Sequence, residues 1–67
     1  MDYVQFGHRV RIRRKALHLT QENLAELVGV SVQFIGHIER GTRKLSVETL
    51  CSLCKALGVG SDELLGI

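Results

Sequence analysis

The chain has no proline, only two cysteines, and no apolar run approaching the roughly 20 residues that a membrane-spanning helix requires. Without proline, and with 45% hydrophobic and 24% charged residues, the composition suits a packed globule rather than a disordered tail. The N-terminus lacks the basic start and apolar stretch of a secretory signal, so a cytoplasmic protein without membrane contact is expected. Cys51 and Cys54, three positions apart, are poorly placed for an internal disulfide, which fits a reducing compartment. Alternating apolar runs are also missing and β-branched residues are scattered, so no strand is expected and the fold class is all-α.

Two chemistries fall away for want of partners. Cys51 and Cys54 form a CxxC, a pattern of zinc and redox sites, but a structural zinc needs four ligands. No second cysteine pair exists, and His18 and His37 stand at no recognised spacing from this one. Neither a metal nor a cofactor is expected. The histidines form no constellation with Ser, Cys or an acid, and so small a helical bundle leaves little room for a pocket. No catalytic residue is assigned, and the chain is not read as an enzyme.

What is present is a single domain, 1–67, near the lower size limit for independent folding, where a partner copy is one of the usual supports. Its net charge of +2 is unevenly spread. Residues 1 to 45 carry Arg9, Arg11, Arg13, Arg14, Lys15, Arg40, Arg43 and Lys44 against Asp2, Glu22, Glu26 and Glu39, a balance of +4. The remainder carries Lys55 against Glu48, Asp62 and Glu63, a balance of −2. The basic part is suited to an anionic partner such as nucleic acid, though a solvated helix face would look the same.

Apolar spacing and end signals divide the chain into short helices. Tyr3, Phe6, Val10 and Leu17 recur at three-, four- and seven-residue intervals, one face of a helix capped by Asp2 and ended near His18. Thr20 caps a second helix with Leu24, Ala25 and Val28 inward, stopped by Gly29. Ser31 caps a third, with Phe34, Ile35 and Ile38 inward, ended by Gly41. After a basic loop, Ser46 caps a fourth with Val47, Leu50, Leu53, Cys54 and Leu57 inward, ended by Gly58. Ser61, Asp62 and Glu63 then start a last turn or two carrying Leu64 and Leu65.

The second and third helices form a unit with fixed offsets, residues 21–41. Counting Gln21 as first, Ala25 is fifth, Gly29 ninth, Val30 tenth, Ile35 fifteenth and Ile38 eighteenth. A small residue at Ala25 lets two helices approach closely, Gly29 permits the positive φ of a sharp turn, and Val30, Ile35 and Ile38 fill the angle between the helices. With these residues, and with RRKALHLTQ at 13 to 21, NLAE at 23 to 26, GVS at 29 to 31, IERG at 38 to 41 and LGV at 57 to 59, the chain resembles the helix-turn-helix domains of phage repressors, Cro proteins and xenobiotic-response-element-type regulators. The resemblance covers essentially the whole chain and implies a compact, lambda-repressor-like five-helix bundle.

The resemblance also implies roles. Gln21 matches the family's backbone-contacting glutamine, which meets a DNA phosphate. Val32, Gln33, Gly36 and His37 match the outward positions of the recognition helix and are expected to face base edges. Gln33 is the foremost reader, since an amide can give and take a hydrogen bond with adenine N6 and N7, while Val32 suits a thymine methyl. Arg14 and Glu39 match a structural ion pair between the first and third helices. Arg43 and Lys44 in the loop, with Arg11 or Arg9 from the first helix, are phosphate candidates. Two departures stand out: Gly36 replaces the polar residue many relatives carry, and Leu45 stands where many have proline.

Together these readings describe a transcriptional regulator, a repressor by the resemblance, that binds a pseudo-palindromic site in double-stranded DNA as a homodimer. Leu64, Leu65 and Ile67 are the expected dimer surface. The rival is an antitoxin or adaptor whose main partner is another protein, such as a toxin, since fold does not settle function.

Overall fold

Residues 1–67 are described by a computed structural model with five helices and no strand: α1 (Tyr3–Ala16), α2 (Gln21–Val28), α3 (Val32–Arg40), α4 (Val47–Leu57) and α5 (Ser61–Leu65). Four of them start where a side-chain oxygen accepts a backbone N–H that helix geometry leaves unpaired. Asp2, Thr20, Ser31 and Ser46 accept from the N–H of Gln5, Asn23, Phe34 and Thr49 at 3.0 to 3.1 Å. At α2 the cap is reciprocal, because the Asn23 side chain accepts from the Thr20 N–H at 3.0 Å. The fifth helix has no side-chain cap: Gly60 takes the cap position and Ser61 is already helical.

At the C-terminal ends, His18 is the one non-glycine residue with a positive φ, 58°, and it follows a helix that stops at Ala16. Leu17 is therefore the C-cap and is 39% exposed, not a member of the buried face. Gly29, at φ 82°, has nothing within 4 Å of where a Cβ would stand, so its contribution is the turn itself. The Gly29 and Val30 N–H groups both donate to the Ala25 carbonyl, at 2.8 and 3.1 Å, which closes the turn tightly.

The core is formed by Phe6 and Val10 of α1, Leu24 and Ala25 of α2, Ile35 and Ile38 of α3, Leu53 and Leu57 of α4, and Leu64 of α5. Every helix contributes, with Val28, Val30, Phe34, Leu50, Cys54 and Leu65 half-buried around the centre. Two expectations fail here. Val47 is 72% exposed: it stands on the first turn of α4, and Leu45 from the preceding loop packs against the core instead. Leu64, assigned to a dimer surface, is 2% exposed and belongs to the core, while Ile67 is 90% exposed. No helix is long and apolar enough to cross a membrane.

The packing of α1 on α3 depends on an absence. Gly7 is buried, and a Cβ there would overlap the Ile38 carbonyl oxygen and lie 2.8 Å from that of Glu39. Gly41 is equally confined, since its Cβ would lie 2.6 Å from Val4 Cα. The two backbones thus run in contact, and α3 is seated at a fixed height on α1.

Candidate nucleic-acid interface

The third helix has two faces. Ile35 and Ile38 turn into the core, whereas Val32, Gln33, Gly36, His37 and Arg40 line a shallow cleft of about 290 Å³ together with Gln21 from the start of α2. On one side this cleft meets a second of about 580 Å³, lined by Arg11, Arg14, Thr20, Gln21, Glu22, Gly36, Glu39 and Arg40, with no hydrophobic residue among them. On the other it meets a third of about 330 Å³, lined by Val30, Ser31, Gln33, Phe34, His37 and Arg43. Neighbouring clefts share lining residues, so the three follow one another as a furrow along one face, from Arg11, across the outward face of α3, to Arg43.

Under this furrow lies a buried polar network. Arg14 Nε donates to Glu39 Oε2 at 2.6 Å and Nη2 to Oε1 at 3.1 Å, a two-pronged pairing whose side chains are 10% and 4% exposed. Arg14 Nη1 also donates to the Leu19 carbonyl at 2.8 Å, tying in the turn before α2. Gln21 Nε2 donates to Glu39 Oε1 at 3.1 Å. The Gln21 amide is thereby oriented with one N–H committed and one left over. Two acidic residues, Glu22 and Glu39, line the larger cleft, and the charge of Glu39 is met by Arg14, so Glu39 presents little repulsion to an anion.

The other sequence-selected residues fall on or beside the furrow. Gln33 is exposed, while Val32 is half-buried and packs partly on the core, so only part of its side chain faces outward. His37 Nδ1 lies 2.9 Å from Thr42 Oγ1 and 3.4 Å from Arg40 Nη2, which leaves Nε2 as the unengaged ring nitrogen. Arg43 sits with its guanidinium carbon 5.8 Å from the centroid of the Phe34 ring, a cation–π contact that holds it beside the start of α3. Lys44 is exposed in the same loop, and Arg11 lines the far end with Gln21.

Arg9 is not brought to this surface. It lines a groove with Ile12, Val59 and Glu63 at the α5 side, and its guanidinium lies beside Gly66. Arg13 is likewise engaged elsewhere, its Nε donating to the Leu57 carbonyl at the end of α4 at 2.9 Å. Cys51 is exposed and Cys54 half-buried, both as free thiols. No group of three or more His, Cys, Asp or Glu side chains is placed to hold a metal ion.

Sequence reasoning missed Arg40, which counted only toward the charge balance. The signal was available: Arg40 stands four residues after Gly36 and three after His37, the spacing of one helix face.

The helix-turn-helix family matches residues 10–64. Over 56 residues the chain is 50% identical to a transcriptional regulator in the ATPase CF(0) region of Rhodospirillum rubrum, covering 84% of this chain and 52% of that one. The chain thus spans about half the length of that relative. Among solved structures it is similar to the restriction-modification controller protein C.AhdI from Aeromonas hydrophila, with a TM-score of 0.90 and 41% identity, covering 94% of this chain and 96% of that one. It is also similar to the P22 c2 repressor protein in complex with a synthetic operator, with a TM-score of 0.85 and 41% identity, covering 88% of this chain and 89% of that one.

Proposed function

The chain belongs to the helix-turn-helix family, and from that premise we propose that it is a sequence-specific DNA-binding transcriptional regulator, a repressor, whose α3 lies in the major groove. The observation that carries this reading is the furrow: Gln33, His37 and Arg40 on α3 at its centre, Arg43 at one end, and at the other Arg11 beside Glu22 and the Arg14–Glu39 pair. Gln33 and His37 meet base edges and Val32 offers its exposed part to a thymine methyl, whereas Gly36, expected to face the bases, is buried beneath the Arg40 guanidinium and presents no edge of its own. Arg11, Arg43 and Lys44 meet phosphates on either side, joined by the free N–H of the Gln21 amide. Base contacts specify the site and phosphate contacts set the register.

One helix of this length reads too few base pairs to define a site, so the partner is a pseudo-palindrome bound by two copies, with half-sites about 34 to 36 Å apart. The exposed apolar residues Val47 and Ile67 lie outside the furrow and are available to such a pairing. Selection of binding sites from a random pool of duplexes tests the reading. A two-fold symmetric sequence is the expected product, and a pool that stays random after repeated rounds rejects it. Sedimentation then tests the dimer, which a monomer both free and on the selected DNA would rule out.

A further inference from the structure

Gly36 stands in the middle of the outward face of α3, flanked by Val32, Gln33 and His37, yet it is buried. Arg40 lies over it: a Cβ built on Gly36 would stand 3.1 Å from Arg40 Nη1, 3.6 Å from Nη2 and 3.7 Å from Cζ. Helix geometry accounts for the direction, because side chains lean toward the N-terminus and meet the residue four places earlier. The missing side chain at 36 thus leaves a gap, and the guanidinium one turn later fills it.

The guanidinium is not spent on a structural bond. The ion pair in the fold is Arg14 with Glu39, so no carboxylate lies within 4.0 Å of Arg40, and its polar contact is the 3.4 Å approach to His37 Nδ1. A guanidinium carries five N–H donors in a fixed fork, and most of these remain free. They lie where the central cleft, shared with Val32, Gln33 and His37, meets the larger one shared with Arg11 and Gln21. Arg43, by contrast, is held at the edge of the furrow on Phe34.

We infer that Arg40 is a base-reading residue: lying over Gly36, its guanidinium donates two parallel hydrogen bonds to O6 and N7 of a guanine in the major groove. The pair Gly36 and Arg40 then acts as one reader, the glycine by leaving room and the arginine by supplying the donors. A planar fork matches guanine, which presents two acceptors side by side, and an ammonium cannot reproduce that match. The apparent loss of a contact at Gly36 becomes a gain of specificity for G·C at one position of each half-site. This inference rests on the DNA-binding reading above.

The test measures binding by fluorescence anisotropy to the site selected by the unaltered protein and to duplexes in which each base pair is replaced in turn. Arg40→Ala, Arg40→Lys and Gly36→Ser are compared with the unaltered chain, and thermal unfolding of each variant confirms that it is folded. The unaltered protein is expected to prefer G·C at one position of the half-site by about 5- to 150-fold. Arg40→Lys is expected to lose that preference while keeping its affinity for random DNA, and Arg40→Ala to lose it with other positions unchanged. Gly36→Ser, which displaces the guanidinium, is expected to weaken the same preference. If Arg40→Ala weakens every duplex by one common factor, Arg40 is a phosphate contact and the inference is overturned. If the unaltered protein selects no sequence, the DNA-binding reading fails first, before any variant is compared.

Discussion

Gly7 and Ile38 meet backbone to backbone: a Cβ on Gly7 would overlap the Ile38 carbonyl oxygen. Ile38 faces the core, and its neighbour Glu39 receives Arg14 from the same helix that carries Gly7. The first helix is therefore joined to α3 by two close backbone contacts, at Gly7 and Gly41, and by one ion pair. What α3 presents outward depends on what α1 withholds inward.

Gly7→Ala tests this seating. Helix propensity alone would favour alanine by about 1 kcal/mol. Overlap with a neighbouring backbone cannot be relieved by a rotamer change, and overpacking in a tight contact costs typically 1 to 3 kcal/mol or more. The expected result is a lower urea midpoint with an unchanged slope. A raised midpoint would show that propensity wins and that the helices do not approach so closely.

The Arg14 and Glu39 pair is buried enough that removing one member strands the other. Arg14→Ala and Glu39→Ala are each expected to cost about 3 to 5 kcal/mol of folding stability, whereas an apolar pair of similar volume at both positions should recover most of it. Denaturant unfolding of the single and double variants gives the coupling energy. Additive losses would mean that the two side chains do not depend on each other.

Gln33→Ala and Arg43→Ala are expected to differ in kind. Loss of the Gln33 amide should cost about 1 to 3 kcal/mol on the selected site and relax preference at one base pair. Loss of Arg43 should weaken all duplexes alike and reduce the slope of log affinity against log salt by about one unit. Binding titrations at several salt concentrations, on selected and random duplexes, separate the two. Equal losses on both duplexes for Gln33→Ala would remove it as a reader.

The two cysteines should react unequally. Burial pushes the Cys54 thiol above its ordinary pKa, with Cys51, Asp62 and Glu63 pushing the same way, while Cys51 is exposed on α4. Under native conditions at mildly alkaline pH, iodoacetamide is expected to alkylate Cys51 first and Cys54 only slowly, because the thiolate is the nucleophile. Peptide mass mapping over time reads this directly. Faster labelling of Cys54 would contradict its packing against the core.

Much of the fold is legible in the sequence because its punctuation is regular: Asp2, Thr20, Ser31 and Ser46 open helices, and Gly29, Gly41 and Gly58 close them. Residues whose position depends on another element were not legible. Val47 has the spacing of the buried stripe, but only tertiary packing reveals that Leu45 turns into the core while Val47 stays in solvent. Gly7 reads in isolation as a weak point in a helix, since the backbone pressed against it belongs to residues 31 and 32 positions further on. Arg40 reads as a cation suited to the C-terminal end of a helix, and only its closeness to Gly36 shows another use. The network at Glu39 was anticipated for Arg14 through the family resemblance, but the share taken by Gln21 was not.

The most direct test of the central claim, that the helix opened by Ser31 enters the major groove, is methylation interference on the selected site with dimethyl sulfate. This reagent marks guanine at N7 in the major groove and adenine at N3 in the minor groove, two edges on opposite sides of the base pair. Binding is expected to be blocked by methylated guanines in each half-site and unaffected by methylated adenines. Interference from adenine N3 with none from guanine N7 would contradict it.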